Sequence, residues 1–185
     1  MKNLLIVVCL VLFVGCSATI PIYKIEKSVD NYLKTKTVSG INNYIYYWDP
    51  MVGLLKGPKE PINYLWRVNL TPIKNISDSS INYNLHLILL SIEWFFIDEN
   101  NGIYFDIDGE IINPNILIYK SDIVGRTLAE LAAMSVDLDF LYKIANAKDL
   151  KIKIYTEKRS NIELVLDKEF QSNIKLFLHE EKNFH

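Results

Sequence analysis

Cysteine is scarce: the 185 residues include two, Cys9 inside an apolar N-terminal run and Cys16 just after it. If that run is removed, one cysteine remains, so a disulfide framework is excluded and a hydrophobic core must supply the stability. Roughly 170 residues are enough to build one. Histidine is nearly as rare, with three, and no His-Glu-x-x-His, Gly-x-Ser-x-Gly or Gly-rich phosphate loop occurs. Seven glycines and six prolines, without repeats, exclude a collagenous or low-complexity chain. Neither charge sign dominates, with 20 basic against 22 acidic side chains interspersed, which argues against a nucleic-acid partner. Long hydrophobic runs are missing too. Leu4–Val14 is shorter than the roughly 20 residues a membrane helix needs, and the apolar stretch from Ile81 to Ile97 contains Asn84, His86 and Glu93.

What is present begins at the N-terminus. Lys2, the apolar run and the small residues after it have the three parts of a secretory signal. Phe13-Val14-Gly15-Cys16 resembles the lipobox of bacterial lipoproteins. That resemblance implies cleavage between Gly15 and Cys16, and lipidation of Cys16 with diacylglycerol and palmitate-type acyl chains. Two or three chains hold a protein durably, whereas one does so marginally. Cleavage after Ala18 and an uncleaved anchor are the alternatives. Ser17 follows the cysteine, where lipoproteins of an inner membrane often carry Asp, so an outer-membrane location is expected. The resulting organisation is a signal peptide over 1–15, a lipidated tether over 16–29 and one α+β domain over 30–185.

Within that domain, Ile25, Val29 and Leu33 have helical spacing. Asn42–Trp48 and Ile62–Asn69 suit strands, separated by a Gly- and Pro-containing loop over 51–61 and followed by a polar loop through Ser80. Tyr83, Leu85, Leu87 and Leu89 alternate with polar residues, predicting a strand that bends near Ser91–Glu93. Asn101-Gly102 and Asp108-Gly109 are hairpin signals that ask for positive φ at both glycines. They predict a meander of Glu93–Asn100, Ile103–Ile107 and Glu110–Tyr119, with Pro114 at an edge or bulge. Thr127–Val136 favours a helix on propensity. Ser135 or Asp137 then caps a helix with Leu138, Leu141, Ile144 and Ala145 on one face. A hairpin of Leu150–Ile154 and Ile162–Leu166 follows. Asp167 caps a last helix with an apolar stripe of Phe170, Ile174, Phe177 and Leu178. Strands and helices without regular alternation predict an α+β fold with a largely antiparallel sheet: a meander, a short helix, a hairpin and a packed C-terminal helix.

The segments Glu130–Asp137, Leu141–Lys148, Leu150–Ile154 and Phe170–Leu178 together resemble a group of uncharacterised small exported bacterial lipoproteins. Trp94–Ile97, Phe105–Glu110 and Thr35–Thr37 also fit that group's pattern. The resemblance implies that 126–136 is a strand, against propensity, and implies no activity.

Chemistry-bearing clusters are few. Asp98, Asn100, Asp106, Asp108 and Glu110 could suggest calcium or a glycosidase pair, but hairpin turns account for them. His179, Glu180, Glu181 and His185 read as a solvated helix end, and Lys151 and Lys153 as the wet face of a strand. The sequons at Asn69 and Asn75 read as chance. Tyr44, Tyr46 and Trp48 share a strand face and could contact a partner, although packing in the core is the plainer reading. The expectation is therefore a membrane-anchored envelope lipoprotein that is not an enzyme. It needs no metal or cofactor and binds a protein or glycan, or has a structural role. An envelope hydrolase with an unrecognised site is the alternative.

Overall fold

The computed structural model describes residues 22–47, 65–78, 80–99, 102–125, 127–158 and 161–184. The fold is α+β, mainly β, with two antiparallel sheets. The larger contains β1 (Lys24–Asp30), β2 (Thr35–Ile41), β3 (Tyr44–Tyr47), β4 (Leu65–Ser77), β5 (Ser80–Ser91), β8 (Asn115–Val124) and β9 (Thr127–Val136). Its order is β1-β2-β4-β5-β9-β8, with β3 also paired to β4. The smaller contains β6 (Ile103–Ile107), β7 (Glu110–Ile112), β10 (Leu150–Ile154) and β11 (Ile162–Val165), in the order β11-β10-β6-β7. Helices α1 (Leu138–Asn146) and α2 (Lys168–Lys182) pack on each other, and α2 lies on β2 and β4.

One continuous core joins both sheets and both helices. Alternation places Leu85, Leu87 and Leu89 of β5 in it beside Val68 and Leu70 of β4. Ile103, Phe105 and Ile107 of β6 enter it beside Ile152 and Ile154 of β10. Phe170, Ile174, Phe177 and Leu178 of α2 are buried as their spacing predicts. Asp137 and Asp167 cap α1 and α2, accepting from Phe140 N–H at 2.6 Å and Phe170 N–H at 2.8 Å.

Thr127–Val136 is a strand, as the resemblance implies and propensity does not. It is bonded to β5 on one side and β8 on the other, and tertiary pairing overrides its alanines.

Four expectations are corrected. Ile25, Val29 and Leu33 do not form a helix: residues 24–30 are β1, paired along their whole length with β2. Residues 70–77 are not a loop but the second half of β4. The proline within them is tolerated for a local reason. Pro72 sits where β4's partner on one side changes from β3 to β2, and Leu70 N–H points into that gap, donating to Asn43 O at 3.0 Å. Two residues on, a proline has no ladder partner to lose there.

The meander exists only as its second turn. β6 and β7 pair around Asp108 (φ 53) and Gly109 (φ 89), both in the left-handed region. On its other side β6 pairs with β10 rather than with residues 93–100, and at Asn113–Pro114 the chain leaves the small sheet for β8. Gly102, finally, is outside the positive-φ set. It is needed for space, because a Cβ there would overlap Asp98 O and lie 2.9 Å from Ile97 Cγ2.

Candidate functional site

The site begins with a buried acid. Leu128, Glu130, Ala132 and Met134 are alternate residues of β9, so Glu130 points into the core, where it is 0% exposed. No cation meets it among the described residues. Its carboxylate instead accepts four hydrogen bonds. Phe95 N–H and Phe96 N–H donate to Oε1 at 2.6 and 3.1 Å, Ile97 N–H to Oε2 at 3.0 Å, and Tyr119 O–H to Oε2 at 2.7 Å. Burial first, and then the hydrogen bond and negative charge of Glu130, push the Tyr119 hydroxyl up from its ordinary pKa, so it stays a donor.

Three consecutive N–H groups can converge on one carboxylate only if the backbone curls. Phe96 supplies the curl with φ 55, an outlier for a bulky residue. The same loop is laced to the chain after β10: Glu157 N–H donates to Phe96 O at 2.8 Å, and Asp98 N–H to Tyr155 O at 3.1 Å. Residues 94–98 therefore bridge the two sheets, held from one side by Glu130 and from the other by 155–158.

The loop buries Phe95 and Ile97 and turns the flanking rings outward. Trp94 and Phe96 are half-buried, with centroids 5.9 Å apart and planes 46° apart. Lys158 Nζ stands 4.0 Å from the Phe96 ring centroid, within cation–π range. With Ile92, Glu93 and Leu128 these side chains line an open cavity of about 460 Å³. Two ring faces, one ammonium and one carboxylate can take the apolar face and hydroxyls of a polar ligand; no nucleophile–base pair stands among them.

A second concavity, about 440 Å³, lies on the outer face of the small sheet. Cross-strand register sets its lining: Asp106 lies between Ile111 and Lys151, and Lys153 between Tyr104 and Glu163. Tyr104 and Tyr155 meet edge to face at 5.4 Å. Lys151 bonds Asp149 at 3.1 Å, which with Asp106 and Glu163 beyond holds its ammonium above the ordinary range. Lys151 and Lys153 are thus on a wet strand face, as the alternation predicts.

The residues singled out from the sequence do not converge. Cys16 and Trp48 lie outside the described residues, as does the side chain of Tyr46, while Tyr44 is half-buried on β3 of the large sheet. Asp106 accepts from Gly109 N–H at 3.0 Å, Asp108 from Lys148 and Asp149 N–H at 2.8 Å each, and Glu110 pairs with Lys143 at 2.9 Å. These acids are engaged in turns and surface pairs, and the described residues contain no group of three or more His, Cys, Asp or Glu that could hold a metal.

The solvated helix end is a correction. Glu181 is 2% exposed and its Oε2 lies 2.6 Å from the Nζ of Lys74, itself 3% exposed on the inner face of β4. Tyr83 O–H donates to the same oxygen at 3.2 Å, and burial with that negative neighbour pushes the hydroxyl pKa up to about 12. Next to it Glu180 pairs with Lys27 of β1 at 2.8 Å.

Sequence reasoning missed Glu130 because an acid in Leu128-x-Glu130-x-Ala132 breaks the apolar face it belongs to. Its even position in the period-two pattern was the available signal. Comparison with protein-family models, with curated proteins and with solved structures finds no match in any of the three.

Proposed function

We propose that this chain is a lipid-anchored lipoprotein of a bacterial cell envelope and a non-catalytic binding module, taking glycan through the platform of Trp94 and Phe96. The lipobox and Cys16 support the anchor, and Ser17 the outer membrane. The single observation that carries the binding site is the held loop. A bulky residue at φ 55 is strained, and such strain persists where the surroundings over-determine it and clusters at ligand sites. Here three backbone hydrogen bonds to one buried carboxylate hold it, and two rings face solvent as a result. Sugar rings present C–H faces that stack on aromatic faces, while their hydroxyls suit Lys158 and Glu93.

The test is titration of the protein with soluble fragments of envelope glycan polymers, read by tryptophan emission and by amide shifts. Saturable changes at 94–96 and 158 are expected, lost in Trp94→Ala with the fold intact. If no glycan fragment moves these signals, or if Trp94→Ala binds like the parent, the reading fails. The anchor is tested separately: fatty-acid labelling should mark the parent and not Cys16→Ala.

A further inference from the structure

Strand β8 forms one edge of the large sheet, and the other side of its backbone has no partner among the described residues. Leu117, Ile118, Ile123 and Val124 along it are exposed. An edge of this length with apolar residues offers its free N–H and C=O groups to another strand. The opposite edge, β1, differs: it carries Lys24, Glu26, Lys27 and Asp30, and Lys27 is committed to α2.

We infer that β8 pairs antiparallel with β8 of a second copy of this chain, about a two-fold axis at Ser121. Two observations select that register independently. The first is geometric. β8 is bulged between Ile116 and Ile118 where it pairs with β9, so its regular stretch runs from Ile118 to Val124, and Ser121 is the midpoint. The second is electrostatic. Lys120 and Asp122 are exposed, face the same side, and form no ion pair among the described residues.

Residues opposite each other in an antiparallel pair share a face, so a two-fold axis allows only registers that set a residue opposite itself. Centring on Lys120 puts Lys opposite Lys, and centring on Asp122 puts Asp opposite Asp. Centring on Ser121 puts each Lys120 opposite the other copy's Asp122. It also puts Ile118 opposite Val124 on that face, and Tyr119 opposite Ile123 on the other. Apolar meets apolar, charge meets its opposite, and two large sheets become continuous.

The experiment uses the full chain in membranes and in detergent. Ser121→Cys should give a dimer under oxidation, because opposed residues have Cα atoms about 4.5–5.5 Å apart, within disulfide reach. Glu163→Cys, on the small sheet, should not. In detergent, Lys120→Asp and Asp122→Lys should each weaken the dimer about tenfold or more, having turned both opposed pairs into like charges, and the double exchange should restore it. Both sites are exposed, so unchanged thermal melting confirms that the fold is retained. A monomeric parent overturns the inference. So does cross-linking that is equal at 121 and 163, cross-linking at 121 to a different protein, or a dimer that neither single charge reversal weakens.

Discussion

The two concave aromatic surfaces of this molecule look alike and arise differently. Trp94 and Phe96 stand on a loop bent into the left-handed region at Phe96 and tied to a buried carboxylate, with Lys158 reaching over from the segment after β10. Tyr104 and Lys153 stand where strand alternation puts them, with apolar partners beneath, and Tyr155 follows β10 directly, so their groove comes with the small sheet. A surface that other residues must hold in place is a better candidate for function than one that comes with a sheet. Composition and size do not separate the two; their support does.

The largest effect that can break this contrast is at Glu130. Glu130→Ala leaves three curled N–H groups and a tyrosine hydroxyl without an acceptor inside the core. It should destabilise by about 4 kcal/mol or more, and lower the melting temperature by roughly 10 °C. Lys153→Ala in the groove should stay within about 0.5 kcal/mol. Equal melting of the two variants would show that the loop is not held by Glu130.

The buried ion pair comes next. Glu181→Ala leaves Lys74 charged and unpaired, and should cost about 3–5 kcal/mol by denaturant unfolding. Phe177→Ala, one helical turn away, should cost a similar amount through a cavity. Lys74→Met with Glu181→Leu should recover most of the loss, because a well-packed apolar pair replaces a desolvated ionic one. If the double variant is no better than the single, the pair also fixes the seating of α2.

The two turn glycines sharpen the comparison at smaller scale. Gly109 has φ 89 with open space at its Cβ position, so Gly109→Asn should be tolerated within about 1 kcal/mol. Gly102→Asn should cost more, since any Cβ there meets Asp98 and Ile97 of the held loop. Circular dichroism melts of the pair decide this.

The smallest effect is a pH dependence. Burial lowers the pKa of His86, so the folded chain binds fewer protons there than the unfolded one. Stability from this residue is intact above the ordinary histidine pKa of about 6.5, and falls as pH drops below it. His86→Gln should flatten the stability profile between about pH 7 and 5.

Legibility in the sequence followed the same division. The strands of the small sheet, its Asp108-Gly109 turn and both capped helices could be read directly, because each strand there has one apolar face and each helix one stripe; the pairing of β6 with β10 could not. The large sheet resisted wherever its inner face carries charge. Lys74 made half of β4 resemble a loop, Glu181 made a docked helix end look solvated, and Glu130 was passed over within β9. Period-two patterns assume that polar residues face water. An acid with four donors, or a lysine with its own acid, violates that assumption without any local mark.

The last helical turn holds residues very distant along the chain: Lys27 and Glu180 are 153 residues apart, and Lys74 and Glu181 are 107 apart. Contacts of that separation must be closed against the entropy of the whole intervening chain before they return any stability, so folding is slow and ends late. Helix α2 covers part of the inner face of β4, where its Glu181 meets Lys74. Such a chain stays open while it is being made and threaded, and that delay suits the export proposed for it.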